Sequence, residues 1–188
     1  MNKNIKNVIA SIVFSFFALL SFSSIAFAST TVGFDSSAVQ SNLNGDLKVN
    51  VYADSSNGEV AYTVRTAVRF SGEQIAVKSF EFAPGWIAIN ADGYDLIDNT
   101  NGMIMKTAGF PGGFTGQKLV GVITFTAKAS SIGKIAISNQ TFVLNENSDN
   151  VYVAGSELSV TVLNSNGTIP SRQYTLPVES NSNPSILN

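Results

Sequence analysis

Apolar and polar side chains alternate through most of the chain after residue 28. In the stretch "DLKVNVYA", every second position is apolar, namely Leu47, Val49, Val51 and Ala53. The stretches "VAYTVRTAVRF", "LVGVITFTAK" and "SELSVTVL" repeat this pattern, and turn-forming sequences rich in Gly, Asn and Ser separate them. A period of two residues is typical of strands with one buried and one solvent-facing side. The pattern predicts an all-β fold, an antiparallel β-sandwich with jelly-roll topology.

One of these stretches and one further stretch make more specific predictions. In "LVGVITFTAK", strict alternation places Leu119 on the buried side and Val120 on the other. In "IAVKSFEF", Ile75 has one parity and Phe80 has the other, although both are apolar. A slip of one residue near residues 78–79 would turn both inward, as a β-bulge does; the alternative is a strand covered on both faces.

The first 28 residues have the pattern of a secretory signal peptide. Lys3 and Lys6 precede the apolar run "VIASIVFSFFALLSF", and the motif "AFA" ends at Ala28. This order predicts a helical signal segment, cleavage after Ala28 and a secreted, extracellular or cell-surface protein. An uncleaved membrane anchor is the alternative, because the run approaches the length that spans a bilayer.

The last 25 residues differ in composition from the rest. The segment "NSNGTIPSRQYTLPVESNSNPSILN" is rich in Asn, Ser and Pro and has few large apolar side chains. Such a segment buries too little surface to order itself, which predicts a disordered tail or linker. The predicted organisation is therefore a signal peptide (1–28), a sandwich domain (29–163) and a tail (164–188).

Composition excludes several kinds of chemistry. The chain has no His and no Cys, so it can form neither a Ser-His-Asp nor a Cys-His catalytic unit, nor a zinc site of the usual type, nor a disulfide. We therefore expect no enzymatic activity. The net charge of -2 becomes -4 when Lys3 and Lys6 leave with the signal. No basic patch indicates a nucleic-acid partner, and the mature chain has no predicted membrane span.

The glycine-rich stretch "GFPGGFTGQK" could hold a phosphate or only form a turn. A phosphate-binding loop is followed by a helix, whereas an alternating strand follows this one. We therefore interpret it as a turn in which Gly112 or Gly113 supplies a positive φ. Phe110 and Phe114 are expected to lie under the loop and fix it.

The order of the later elements resembles that of a cohesin-type domain. These elements are Gly121, Ile123, Phe125 and Ala127, then Gly133, Ile135 and Ile137, then Gly155, Leu158, Val160 and Val162. The resemblance covers roughly residues 31–163. It implies a jelly-roll sandwich of about nine strands, related to carbohydrate-binding modules. It also implies a non-catalytic role: docking a dockerin-like protein module in a polysaccharide-degrading or cell-surface assembly.

Polar side chains on the predicted solvent side of two strands are candidates for binding a protein partner, since Arg and Tyr are enriched at the centres of interfaces. They are Arg65, Arg69, Thr63, Lys48, Asn50 and Tyr52. The alternative is an ordinary solvated strand face.

Two aromatic residues are candidates for carbohydrate binding. Trp86 follows the turn "PG", and Tyr94 lies in a polar segment, so either ring could stack on a sugar. Burial of Trp86 in the core is the alternative, given the apolar area that this side chain buries. Carbohydrate recognition and a structural role in a surface or adhesin domain therefore stay open beside protein docking.

The segment "ADGYDLIDNTNG" could supply oxygen ligands to calcium. It contains Asp92, Asp95 and Asp98, but their spacing does not match an EF-hand loop. Roles in turns and at strand edges are the alternative for these carboxylates. No other cofactor is expected.

Overall fold

The computed structural model of the protein describes residues 29–56 and 58–179. The predicted signal peptide lies outside this part of the chain, and so do residues 180–188 of the predicted tail. Within the described residues every regular element is a β-strand. A search of the same residues finds no helix long and apolar enough to cross a membrane.

Thirteen strands occur in the described residues. They are β1 (Thr30–Phe34), β2 (Ala38–Asn42), β3 (Asp46–Ser55), β4 (Ala61–Phe70), β5 (Ile75–Phe82), β6 (Ile87–Ala88), β7 (Asp95–Asp98), β8 (Met103–Phe114), β9 (Gly116–Ala127), β10 (Ser131–Ile137), β11 (Phe142–Asn145), β12 (Tyr152–Gly155) and β13 (Glu157–Leu163).

The strands form two sheets. Sheet A has the order β12-β1-β3-β9-β5; sheet B has the order β2-β13-β10-β4-β8-β6, with β11 also paired to β4 and β7 to β8. Most pairings are antiparallel, but β12 joins β1 and β2 joins β13 in parallel. The predicted all-β sandwich is confirmed. Its strands outnumber the expected count because six of them have five residues or fewer.

The hydrophobic core lies between the two sheets. In β3, Leu47, Val49 and Val51 are buried at alternate positions, as the sequence predicts. Phe70 of β4 and Phe125 of β9 pack edge to face across the core, with ring centroids 5.3 Å apart. An aromatic pair in this geometry stabilises a fold by about 0.5–1.5 kcal/mol beyond the contribution of the apolar area that it buries. This pair therefore helps to hold the sheets together.

Two slips in the pairing of strands change which side chains face the core. The pairing of β5 with β9 slips between Val77 and Ser79, and both Val77 and Phe80 then pack in the core, which confirms the predicted bulge. A second slip separates Val51 from Tyr52 in the pairing of β3 with β9. Because of this second slip, Leu119 and Val120 of β9 lie on the sides of the sheet opposite to those predicted.

In this second slip, Tyr52 pairs with Leu119 and Val51 pairs with Gly121, so Val120 is left without a partner in β3. Val120 is fully buried in the core. Leu119 lies beside Tyr52 on the outer side of the sheet. The expectation that Leu119 points inward and Val120 outward is therefore wrong, because alternation across a bulge changes parity.

The segment after Leu163 differs from the expected free tail over residues 164–179. Strand β10 pairs with β4 only from Ile135 onward, which leaves the backbone of Ile132 open on that side. The segment fills this gap: the Ile132 N–H donates to the Arg172 carbonyl at 2.8 Å, and the Tyr174 N–H donates to the Ile132 carbonyl at 2.9 Å. The composition of this segment could not reveal that an unpaired strand edge lies near it.

Candidate functional site

The six predicted partner-binding residues lie on two different surfaces. Three are on the outer face of sheet A and three are on β4 in sheet B. The first group is Lys48, Asn50 and Tyr52; the second is Thr63, Arg65 and Arg69. Because the sheets are on opposite sides of the core, the six residues cannot form one contact surface.

The outer face of sheet A carries polar groups that pair with one another. Lys78 contacts Asp46 at 2.7 Å, and Asn50 donates to Asp35 at 2.6 Å. The hydrogen bond from Lys78 is the main cause that holds the pKa of Asp46 below its usual value. Exposed pairs of this kind contribute little to stability or binding, so this face has the character of an ordinary solvated sheet surface.

Arg65 does not project into solvent as predicted; it is only 8% exposed. Its guanidinium lies 5.1 Å from the centroid of the Tyr94 ring and 4.4 Å from that of Phe142. Its Nη2 donates to the Gly93 carbonyl at 2.8 Å. The prediction of a solvent-exposed Arg65 is wrong because the loop between β6 and β7 folds over the outer face of sheet B.

This arrangement gives a clamped cation. Burial lowers the pKa of Arg65, but a guanidinium remains charged at neutral pH. The loop is held further by Thr107, whose hydroxyl donates to the Tyr94 carbonyl at 2.8 Å. Two aromatic rings and a carbonyl therefore fix a positive charge just below the surface.

Three rows of side chains run across the strands in the middle of the outer face of sheet B. Directly paired residues share a face, so the rows follow from the strand register. They are Phe142, Arg65 and Thr107; then Ala67, Met105 and Leu96; then Ala136, Arg69 and Met103. We call these nine residues the docking face.

The docking face is apolar in its middle row. Met105 is buried between the neighbouring rows, and Leu96 at its edge is 44% exposed. Apolar side chains beside aromatic and Arg residues are typical of the centre of a protein interface. No sequence pattern indicates Leu96, Met105 or Phe142, because only the pairing of distant strands places them on the same face as Arg65.

Arg69 is also covered, but by the C-terminal segment. Its Nη1 donates to the Pro177 carbonyl at 2.7 Å, and its Nε lies 3.1 Å from Oε1 of Glu179. The same carboxylate accepts a hydrogen bond from the backbone N–H of Asn139 at 2.8 Å. Alternation correctly predicted that Arg69 lies on the outer face of sheet B. The prediction that it is exposed to solvent is wrong, because the C-terminal segment covers it.

Thr63 pairs with Gly109 and Leu144 beyond the Arg65 end of the docking face. It is half-buried. Its position is consistent with a contribution at the margin of this surface rather than at its centre.

Trp86 is a core residue and offers no ring to a sugar. It is 9% exposed, and its Nε1 donates to the Leu119 carbonyl at 2.8 Å. Phe110 and Phe114 pack on it edge to face, at 5.2 and 5.5 Å between centroids. The glycine-rich stretch forms the end of β8, where residues 110–113 bulge between the pairs Thr63–Gly109 and Ala61–Phe114 and close this aromatic cluster. The prediction of Trp86 as a carbohydrate contact is wrong.

The glycines of this bulge have the positive φ angles that the sequence predicts. Gly112 and Gly113 both have positive φ, at 81° and 70°. A Cβ at Gly113 would approach Val60 and Tyr62 to below 3.0 Å, so this position also needs the missing side chain for space.

Tyr94, the other carbohydrate candidate, is half-buried with Arg65 at 5.1 Å from its ring centroid. The face of the ring that Arg65 contacts is not available for stacking on a sugar. Tyr94 acts instead as part of the clamp on Arg65.

Two of the three carboxylates proposed for calcium have structural roles. Asp95 forms an ion pair with Lys106, and Asp98 accepts hydrogen bonds within its own turn. The hydrogen bonds from the backbone N–H of Asn101 and, to a smaller extent, from its side chain hold the pKa of Asp98 below its usual value. Asp92 is exposed. In the described residues, no group of three or more acidic, His or Cys side chains is placed to hold a metal ion.

Comparisons with known proteins identify the fold. No family model matches the sequence, and no curated protein is significantly similar to it. Solved structures, in contrast, are similar over most of the sandwich.

One is the cohesin module of a Clostridium perfringens family 33 glycoside hydrolase, at 11% identity and a TM-score of 0.59, covering 72% of this chain and 98% of that one. A second is the third ScaC cohesin of Acetivibrio cellulolyticus, solved in complex with the ScaB dockerin, at 14% identity and a TM-score of 0.55, covering 72% and 99%. A third is a non-cellulosomal cohesin of the archaeon Archaeoglobus fulgidus, at 13% identity and a TM-score of 0.55, covering 73% and 93%. The sandwich described here therefore has the fold of a cohesin module.

Proposed function

We propose that this chain is a non-catalytic module that binds a dockerin-like protein through its docking face. One observation supports a protein partner, and another supports a non-catalytic role. Structures with the same fold include cohesins in complex with dockerins. The lack of His and Cys in the chain also removes the usual nucleophilic and metal-assisted mechanisms.

The observation that carries the choice of surface is Leu96, an exposed apolar side chain on the same face of sheet B as the fixed charge of Arg65. A fixed cation and an apolar neighbour offer a partner both orientation and buried area, at little cost in side-chain entropy because Arg65 is already ordered. The outer face of sheet A lacks such a centre: Lys78 and Asp46 there are exposed and pair with each other, and Asn50 is bound to Asp35.

The proposed setting is outside the cell. Residues 1–28 act as a cleaved signal peptide, and residues 29–163 form the binding module. Its task is to hold a dockerin-bearing protein in a polysaccharide-degrading or cell-surface assembly. A direct role in carbohydrate binding is not proposed, because Trp86 is in the core and Tyr94 is engaged by Arg65.

The docking face can be tested with two neighbouring residues. Leu96 and Ile97 are 44% and 42% exposed but point to opposite sides of β7. With a dockerin that binds the wild-type protein, chosen from a panel that includes the dockerins of Acetivibrio cellulolyticus, we expect Leu96→Ala to weaken binding about tenfold, as truncation of a central apolar contact does. Ile97→Ala should change the dissociation constant less than twofold by calorimetry.

Two results would contradict the proposal. If Ile97→Ala weakened binding as much as Leu96→Ala, the contact would not lie on the docking face. If no dockerin of the panel bound the wild-type protein while an insoluble polysaccharide retained it, the module would belong to the carbohydrate-binding class.

A further inference from the structure

The C-terminal segment, residues 172–179, is placed like a bound peptide at one end of the docking face. It begins beside β10, where Gln173 forms a parallel bridge with Ile132. It then crosses Gly102, where Pro177 is near enough to contact an added Cβ, and reaches Arg69. We call this segment the strap.

The strap's main polar anchor is a carboxylate. Glu179 lies between the guanidinium of Arg69 and the backbone N–H of Asn139, at 3.1 and 2.8 Å. Together these two donors form a receptor for one carboxylate, and contacts of a carboxylate with charged or backbone donors are stronger than those between neutral groups.

This anchor is incomplete on the protein side. The Nε of Arg69 is buried and near Glu179, yet it makes no aligned hydrogen bond. A buried donor without a hydrogen bond costs free energy, so a carboxylate with better alignment would bind Arg69 more favourably than Glu179 does.

Backbone hydrogen bonds with Ile132 hold the start of the strap, but several of its side chains make little contact with the sandwich. Val178 is 96% exposed, and Gln173 and Thr175 are also exposed. The ion pair of Arg172 with Glu73 is long, at 3.9 Å, and lies in solvent. Tyr174, Leu176 and Pro177 are only half-buried, so the attachment of the strap to β13 adds to these contacts by giving it a high effective concentration.

From these contacts we infer that the Arg69 end of the docking face is a binding site for an extended protein segment that bears a carboxylate, and that the strap occupies this site in the free protein. A partner segment would add to the edge of β10 by backbone hydrogen bonds, as extended peptides do elsewhere, and would place its carboxylate between Arg69 and Asn139. It would have to displace the strap, so the strap lowers the partner's apparent affinity. The inference rests on the proposed function for the identity of the partner, but the site itself does not depend on it.

The site can be tested without a partner. A protease recognition sequence is inserted between Asn166 and Gly167, in the exposed turn before the strap, and the folded chain of residues 29–188 is then cleaved. A labelled peptide of residues 168–188 should exchange into the cleaved protein, measured by fluorescence anisotropy. The Glu179→Gln peptide should bind about tenfold more weakly, because it loses the charge that pairs with Arg69. The Val178→Ala peptide is the matched control and should bind like the wild type.

If the cleaved strap did not exchange, or if the Glu179→Gln and wild-type peptides bound equally, the site would not be a carboxylate receptor and the inference would be overturned. A second measurement addresses competition. A dockerin that binds the uncleaved protein should bind about fivefold or more tightly once the strap has been cleaved and washed away; equal affinity would show that the strap and the partner do not share the site. If no dockerin bound either form, the proposed function would fail while the peptide experiment still decided the site.

Discussion

Replacing Gly102 by Ala is expected to lower the free energy of unfolding by more than about 3 kcal/mol. The φ of Gly102 is 67°, a region that costs an L-residue about 1–2 kcal/mol. An added Cβ would also lie 1.9 Å from the carbonyl oxygen of Phe70. That carbonyl cannot move away easily, because the Phe70 N–H donates to the Gly102 carbonyl at 2.9 Å and fixes the end of β4. Urea denaturation of the two proteins would measure the difference.

Gly112→Ala is the matched control for this change. Gly112 also has a positive φ, of 81°, but an added Cβ would have no atom within 4 Å. It should therefore cost only the backbone strain of about 1–2 kcal/mol. Equal losses in the two variants would mean that the close approach of Gly102 to β4 does not exist in solution.

The sandwich was predictable because the position of each strand and its buried side depend mainly on residues that are neighbours in the sequence. Alternation gave the buried side of β3, and the opposite parity of Val77 and Phe80 located the bulge in β5. The pattern in β9 misled, because the corresponding bulge lies opposite Val51 in β3 and leaves no mark in the apolar pattern of β9 itself. A slip in a strand is visible in its own sequence only when large apolar residues stand on both sides of it.

The candidate site was less predictable for a related reason. Alternation gave the outward direction of Arg65 and Arg69 correctly, but direction is not exposure. Arg65 is covered by the loop that carries Tyr94, and Arg69 is covered by a segment that ends at Glu179. Both covers come from distant parts of the chain, and neither has an apolar pattern that would indicate where it packs.

The bulge opposite Val51 leads to the second large effect. Val120→Asp is expected to destabilise the protein by about 4 kcal/mol or more, because Val120 is fully buried and a carboxylate placed there must lose its hydration or be protonated. The loss of the apolar side chain adds about 1.5–3 kcal/mol. Since small domains are stable by about 5–15 kcal/mol, we expect a large fall in the midpoint of thermal unfolding, or an unfolded chain, by circular dichroism.

Leu119→Asp separates the bulge from simple alternation. Leu119 pairs with Tyr52 on the outer face of sheet A, where a charged side chain can reach water. Its replacement should cost about 1 kcal/mol, as is common at half-exposed positions. Strict alternation predicts the reverse order, with Leu119→Asp the more damaging change. If that order were observed, the register of β3 and β9 described here would be wrong, and with it the assignment of Tyr52 to a solvated face.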